Sequence, residues 1–528
     1  MAQRMMETCI VYFPNMIYNL YRMKILNITN KLKGDYNLDA FLQDPIGGLV
    51  SLLWSTPMIV FCLGVGLLFT VLTKFVQVRL IGDMVKQIFS GKSSSAGVSS
   101  FQALAISLSG RVGTGNIAGT ATAIAMGGPG AVFWMWMIAF IGSASAFIES
   151  TLAQVYKTKQ DGEYRGGPAY YIEKGIGWRW YGIIFAFAAL LAMSLLMPGL
   201  QANAIGEGLN NAFGINKHVI AVVLVVVIGL IIFGGVKRIA SVAQFVVPFM
   251  AIAYMLVAFL IIAMNFTELP AVFGLIFSSA FGADSAFGGI IGSAIAWGVK
   301  RGIFSNEAGQ GTGPHAAAAA EVSHPAKQGL VQAFSVYIDT ILVCSATAFM
   351  ILFTGAFNVV DPNNEGQFLA NNLGANVDAG PAYTQAAIET ALPGFGAGFV
   401  GIALLFFAFT TIMAYYYIAE TNVAYIMRGR SNKVPMFILK LVLLFATYVG
   451  VVRSTQIAWD LGDIGLGLMV WLNLIALLLL AKPALAVLKD YDEQRKQGLD
   501  PTFNPDKLGI KNAEFWTEEY KKDDERAS

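Results

Sequence analysis

Apolar stretches of about twenty residues recur between residues 57 and 481, and polar residues gather in the short segments between them. A helix needs about 20 apolar residues to cross the hydrocarbon of a bilayer. The pattern predicts eleven membrane-spanning helices, at about 57–76, 101–126, 130–156, 181–209, 218–234, 240–264, 287–318, 328–355, 396–427, 435–452 and 456–481. Those at 181–209, 287–318 and 396–427 are interrupted or polar in places. The chain then divides into an N-terminal extension (1–40), a transmembrane domain (41–485) and a polar tail (486–528) with room for one short helix. In the extension, Pro14, Asn15 and Asn19 spoil a signal-peptide core. Met16 and Met23 are alternative starts, and a surface-lying amphipathic segment is the other reading.

Composition supports the membrane reading. Hydrophobic residues make up 56% of the 528 and charged residues 13%, where soluble domains carry about 25% charge. A soluble enzyme, a disordered chain, a disulfide scaffold and a nucleic-acid binder are all poor fits. Cys9, Cys62 and Cys344 have no metal-ligand spacing and read as small core residues. His218, His315 and His324 lie far apart in the sequence. No GxxxxGK[ST] loop is present, which argues against a primary pump, and no nucleophile–base pair suggests an enzyme.

Charge sets the orientation. Loops on one side carry Lys74, Arg79, Lys86, Lys92, Lys157, Lys159, Arg165, Lys174, Arg179, Lys237, Arg238, Lys300, Arg301, Lys327, Arg428, Arg430 and Lys433; the alternate loops carry only Lys217 and Arg453. Basic loops stay cytoplasmic. The C-terminus is therefore expected inside and the N-terminus outside.

Two of the predicted helices are unlike the rest. The one at 101–126 contains Ser109-Gly110-Arg111-Val112-Gly113-Thr114-Gly115-Asn116-Ile117-Ala118-Gly119. Each interior glycine costs about 1 kcal/mol against alanine. Unwound backbone at membrane depth is tolerated only against protein or a wet cavity. Close packing through Gly115 and Gly119 is the other reading, but packing does not call for Arg111, Thr114 and Asn116. The span at 287–318 is also broken by glycine, from Gly288 through Gly292, Gly298 and Gly302 to Gly311. Setting 57–76 aside as an accessory helix, the remaining ten form two sets of five, 101–264 and 287–481. Five is odd, so the second set is inverted, and each set begins with a broken helix. Broken helices at corresponding positions of two halves mark the midplane site of a secondary transporter. Free amides at a helix start suit an anionic group, and free carbonyls suit a small cation or an ammonium.

The run Gly127-Gly128-Pro129-Gly130-Ala131-Val132-Phe133-Trp134-Met135-Trp136-Met137-Ile138-Ala139-Phe140-Ile141-Gly142 resembles the signature of the alanine or glycine:cation symporters, the sodium:alanine symporter family. Val112–Asn116 and Phe304–Gly309 are similar to it too, and the match covers about 38–485. The resemblance implies the leucine-transporter type of five-plus-five inverted fold behind one extra helix. It implies sodium-driven, sometimes proton-driven, uptake of alanine, glycine or a close relative across a prokaryotic cytoplasmic membrane; the protein is expected to work as a monomer. A channel or a membrane-embedded enzyme is the remote alternative.

Within that frame, the backbone around Gly113, Thr114, Gly115 and Asn116 is expected to receive the substrate carboxylate. Carbonyls of Ser109 and Val112 are expected to face sodium. In the second broken helix, carbonyls near Gly292–Ile295, with Ser293 and Ala294, would take the ammonium. Trp297 either caps the pocket or packs as an ordinary core residue. Gln201 lines the pocket or makes a helix–helix hydrogen bond. The leucine-transporter fold implies a sodium-binding hydroxyl pair at Thr410 and Thr411; routine bonding to the i−4 carbonyl is the alternative. Arg111 and Glu149 are expected to pair, as a gate or as a static anchor. Ionisable residues in spans are functional candidates by default. An acid such as Asp339 or Glu420 would make the coupling ion a proton.

Overall fold

The computed structural model describes residues 38–520 except 92, 95, 285 and 365; expectations about the first 37 residues lie outside the described residues. By internal contacts the chain divides after Gly48, and the larger unit begins at Leu49. That unit is built almost wholly of helices. Among the described residues, eight helices are long and apolar enough to cross a membrane: Pro45–Leu72, Gly130–Val155, Arg179–Phe213, Arg238–Met264, Pro325–Thr354, Gly396–Ile426, Lys433–Val452 and Thr455–Leu479. The expected span at 218–234 is present as the shorter apolar helix Lys217–Ile232. Those at 101–126 and 287–318 fall short because each is two helices joined by a break. The first span begins well before residue 57 and bends at Trp54–Ser55.

The elements that build the centre are α1 (Thr56–Leu72), α2 (Ser100–Arg111), α3 (Thr120–Gly127) and α4 (Gly130–Val155). After them come α5 (Met197–Phe213), α6 (Ile291–Asn306), α7 (Gly313–Ala319) and α8 (Pro325–Val336). The last four are α9 (Gly396–Ile426), α10 (Lys433–Val452), α11 (Thr455–Leu479) and α12 (Ala481–Lys496).

Burial separates centre from rim. The most apolar window of α4 is 72% buried, whereas that of Arg238–Met264 is 28% buried. On the latter helix Phe245, Phe249, Ile252, Leu256 and Phe259 stand exposed at helical spacing. A stripe of that size is uncommon on a soluble monomer and natural against lipid. Where helices approach closely, glycine makes it possible: a Cβ on Gly450 of α10 would collide with the backbone of Gly199 on α5.

The polar tail packs against the end of the molecule that carries the basic loops. After α12 the chain returns so that Phe503 N donates to Ser323 O (3.0 Å) and the Trp516 indole donates to Gln154 O (2.9 Å). The hairpin β1 (Thr158–Gln160) and β2 (Glu163–Arg165) lies at the same end. Lys157 donates to Ala320 O at 3.0 Å and sits over the rings of Tyr164 and Phe515, each 4.5 Å away. Burial pushes its ammonium down to about 7, opposed by nearby Glu321.

Candidate functional site

The first break opens where the sequence places it. A reciprocal cap between Ser99 and Gln102 starts α2, which runs to Arg111 and leaves helical geometry at Val112 (φ −78°, ψ 85°). A widened turn, Gly115–Gly119, leads into α3. The carbonyl end of α2 and the amide end of the second half-helix therefore meet here, presenting partial negative and positive charge side by side. Glycine is required at this approach. A Cβ on Gly115 would lie 3.0 Å from Ser305 Cα and 3.1 Å from the Phe304 ring. A Cβ on Gly113 would overlap the Thr411 hydroxyl and reach 3.1 Å from Gln201 Oε1.

Most of the break's amides have partners. Gly113 N donates to Asn116 Oδ1 (2.8 Å), Thr114 N to Gln201 Oε1 (3.1 Å), and Asn116 N to Gly113 O (3.3 Å). Gln201 comes from α5 and its amide donates to the Tyr415 hydroxyl at 3.4 Å. The Thr114 hydroxyl is buried with no hydrogen-bond partner among the described residues.

While its Oδ1 caps Gly113 N, the Asn116 Nδ2 points away from the break. It donates to Asp339 Oδ1 (2.6 Å), which also accepts from Ser305 Oγ (3.0 Å), while Thr340 Oγ1 donates to Asp339 Oδ2 (2.6 Å). Asp339 lies in a π-helical stretch, Tyr337–Cys344, a distortion common at functional sites. The sequence flagged Asp339 only as an isolated acid. Its donors lie on three separate stretches of chain, which composition cannot reveal.

On the α2 side, Thr411 Oγ1 is 2.8 Å from Ser109 O and 2.9 Å from Phe407 O, and Thr410 Oγ1 is 2.9 Å from Phe407 O. Thr411 thus makes the routine i−4 contact and a second one across to α2. The Ser109 hydroxyl turns to Ile106 O (2.6 Å), so it is the Ser109 carbonyl that faces Thr411. The Ser109 carbonyl and two hydroxyls lie together, all neutral oxygens, a donor type that suits a hard cation. The helix end at Val112 frees a further carbonyl nearby.

The second break lies at the far end of the glycine-rich stretch, away from Gly292–Ile295. α6 is continuous from Ile291 to Asn306, so the carbonyls near Gly292–Ile295 remain inside a helix. The chain breaks at Glu307 (φ 55°), Gly309 (φ 80°) and Gly311 (φ 88°), and resumes helix at Gly313. Ser293 Oγ donates to Met126 O (2.7 Å), and Ala294 packs against Gly127. Both contacts are at the C-terminal end of α3, about 18 Å along the helix from Gly115 at 1.5 Å per residue. The Trp297 ring packs against Lys300 and Arg301, whose charged heads lie 4.9 and 5.1 Å from it. Ser293, Ala294 and Trp297 are therefore not gathered at either break.

Glu149 of α4 holds the second break open. Its carboxylate accepts from Gly309 N (3.2 Å), Gly311 N (3.1 Å) and Asn473 Nδ2 (2.8 Å). Arg111 does not form the expected ion pair with it. Arg111 Nη1 donates to Gln332 O (3.1 Å) and to Ser335 Oγ, both on α8. Lys300 and Arg301 are not loop residues either. Arg301 and Asp463 of α11, 2% and 1% exposed at their side chains, pair at 2.8 Å, and Lys300 reaches Asp463 at 2.6 Å.

Two helices interrupted at their middles, with opposed dipole ends meeting neutral oxygens and buried acids, define a cation-coupled secondary transporter rather than an enzyme. The chain belongs to the sodium:alanine symporter family, whose model matches residues 39–505. It is 66% identical to YrbD of Bacillus subtilis (strain 168) over 487 residues, covering 92% of this chain and 100% of that one. It is 58% identical over 444 residues to the sodium/proton-dependent alanine carrier protein of Bacillus sp. (strain PS3), covering 84% and 99%. The sodium/alanine symporter AgcS of Methanococcus maripaludis is 36% identical over 454 residues, covering 84% and 96%. Among solved structures, an outward-open Na+-coupled sialic acid symporter shares the fold at TM-score 0.50 and 13% identity, covering 85% of this chain and 94% of that one.

Proposed function

We propose that this chain imports alanine or a similarly small neutral amino acid together with sodium, by alternating access across the cytoplasmic membrane of a prokaryote. The single observation that carries the reading is the first break, where a carbonyl end and an amide end meet beside neutral oxygens. The carboxylate of the substrate binds the amide side, at Gly113–Asn116. Gln201 Oε1 holds the Thr114 amide in the role that a carboxylate oxygen takes over, and the Thr114 hydroxyl is free to donate. The ammonium lies toward the carbonyl end of α6, near Phe304 and Ser305, rather than near Gly292–Ile295. Phe304 beside Gly115 keeps the pocket small. One extra methylene changes affinity by only about 1–3 kcal/mol in an apolar pocket, so serine and D-alanine are expected as weaker substrates.

Sodium binds Ser109 O, Val112 O and the hydroxyls of Thr410 and Thr411. The transport unit consists of eleven crossings: an accessory helix and two inverted sets of five, each opening with a broken helix. Without Lys300 and Arg301, basic residues still divide fifteen to two between alternate loops. That bias supports a cytoplasmic C-terminus and an external N-terminus. The protein acts as a monomer, each chain carrying both breaks. Proton coupling is the second reading, favoured by the buried Asp339 and by relatives named for both ions.

Binding of labelled alanine to the purified protein tests the site. Gln201→Leu and Thr114→Val are each expected to weaken alanine at least tenfold while leaving thermal stability within a few degrees. Unchanged alanine affinity in both variants would move the substrate away from the first break.

A further inference from the structure

The middle of the molecule gathers one base and three acids. Arg111 is faced by three carboxylates, Glu149, Glu307 and Asp339, and all four are at most 2% exposed. One guanidinium can balance only one of three ionised acids, and at membrane depth an unneutralised ion is costly, so the other two call for a proton or a cation. Glu149 and Asp339 each have three hydrogen-bond donors. Glu307 does not: Oε2 accepts from Thr312 Oγ1 at 2.7 Å, and Oε1 is buried with no partner among the described residues.

The backbone holds Glu307 in place at a conformational cost. Its φ of 55° lies in the left-handed region that a long side chain rarely adopts. From there the carboxylate reaches toward α2, so that a Cβ on Gly110 would stand 3.3 Å from Oε2. It borders a small cavity lined by Ser107, Gly110, Thr312, Gly313, Ala414 and Tyr417. The free space suits about one water-sized occupant. The Ser107 hydroxyl on the cavity wall is also buried without a partner among the described residues. Only Arg111 Nη1 is bonded, to Gln332 and Ser335; Nε and Nη2 are buried without a partner, and no Arg111–Glu307 ion pair is present among the described residues.

We propose that Glu307, with the hydroxyls of Ser107 and Thr312, forms a second monovalent-cation site that is distinct from the neutral-oxygen site at Thr410 and Thr411. Its occupant, Na+ or a proton, neutralises the carboxylate and is carried with the substrate. The inference rests on the symport reading. The charged and titratable groups that face Glu307 are Arg111 from α2, Glu149 from α4, His315 from α7, Asp339 from the π-helical stretch, and Tyr415 and Tyr417 from α9. His315 is already tied to Thr312 O (3.2 Å) and to the Asn422 amide (3.0 Å). The tyrosines are neutral at physiological pH. Glu307 is thus the acid in this group with an open acceptor.

The test uses the full chain in proteoliposomes, with labelled alanine, 22Na+ and net charge counted together. Glu307→Gln, which keeps the shape, is expected to carry one fewer positive charge per alanine than the wild type. If sodium occupies the site, the 22Na+ to alanine ratio falls by one. If a proton does, that ratio is unchanged and the suppression of wild-type uptake at alkaline pH disappears in the variant. Equal charge per alanine in both proteins overturns the proposal. Wild-type uptake that follows neither a sodium nor a pH gradient overturns the symport reading instead. Should Glu307→Gln fail to turn over, the thermal shift of the purified variant against NaCl, with choline chloride as control, decides at pH 6 and pH 9. A weaker dependence on sodium or on pH than in the wild type supports the site, and an unchanged dependence on both overturns it.

Discussion

At Val112–Thr114 the chain leaves the helix beside neutral side chains: Asn116 caps Gly113 N, Gln201 holds Thr114 N, and Thr411 touches Ser109 O. At Glu307–Thr312 the chain is held instead by an acid, the Glu149 carboxylate, which accepts both Gly309 N and Gly311 N, and it carries a second acid of its own. Neutral, rotatable partners can be exchanged for a ligand at little cost. A carboxylate locked onto two buried amides cannot, because each amide deprived of its acceptor costs about 1–3 kcal/mol. The first break is therefore suited to bind and release a zwitterion, and the second to stay open as a fixed frame that positions Glu307.

That contrast can be broken most severely at its frame. Glu149→Ala strips three donors of their acceptor, and uptake is expected to fall at least about 100-fold with a clear drop in melting temperature, since the losses of about 1–3 kcal/mol each act together. Glu149→Gln keeps one acceptor oxygen and should recover part of both. Full activity in Glu149→Ala would mean that the second break needs no anchor. Next in size, Gly115→Ala forces a methyl against Ser305 and Phe304. Overpacking costs about 1–3 kcal/mol, so equilibrium binding should show alanine weakened about 10- to 100-fold. A smaller effect is expected in the sodium half-saturation of uptake. Thr411→Ala should raise it about fivefold, for the loss of about 1 kcal/mol, and Thr410→Ala should raise it less, because only Thr411 also reaches α2. The smallest effect sharpens the contrast from the other side. Nothing lies within 4 Å of a Cβ at Gly292, so Gly292→Ala should leave stability within about 0.5 kcal/mol and transport unchanged. A large loss there would restore a role for the upper part of α6.

The first break was legible in the sequence because Gly113 and Gly115 flank Thr114 beside Asn116, a combination that packing alone does not demand. The second was included in the pattern but not located within it, and the ammonium was expected near Gly292–Ile295, because glycine serves two purposes in this span. A Cβ on Gly298 would come within 2.6 Å of the Trp134 side chain, and one on Gly302 would strike Ile138. Those glycines let α6 lie against α4. The glycines that break the helix, Gly309 and Gly311, are marked by positive φ, which glycine density does not report. Lys300 and Arg301 looked like loop charges because their partner, Asp463, lies 162 positions beyond Arg301. Arg111 and Glu149 read as a pair because both are ionisable and in spans, but hydrogen-bond partners on other helices claim each of them. The helical membrane fold itself was readable, since it rests on the length and polarity of local segments, whereas the acid sites rest on contacts between distant ones.

The central claim is that an amino acid and a cation share the first break and move together. Uptake of labelled alanine into proteoliposomes under an imposed inward sodium gradient tests it most directly. Accumulation above equilibrium that collapses when sodium is equalised, and that Thr411→Ala weakens, is the predicted result. Accumulation that ignores the sodium gradient, or no accumulation of alanine at all, would contradict it.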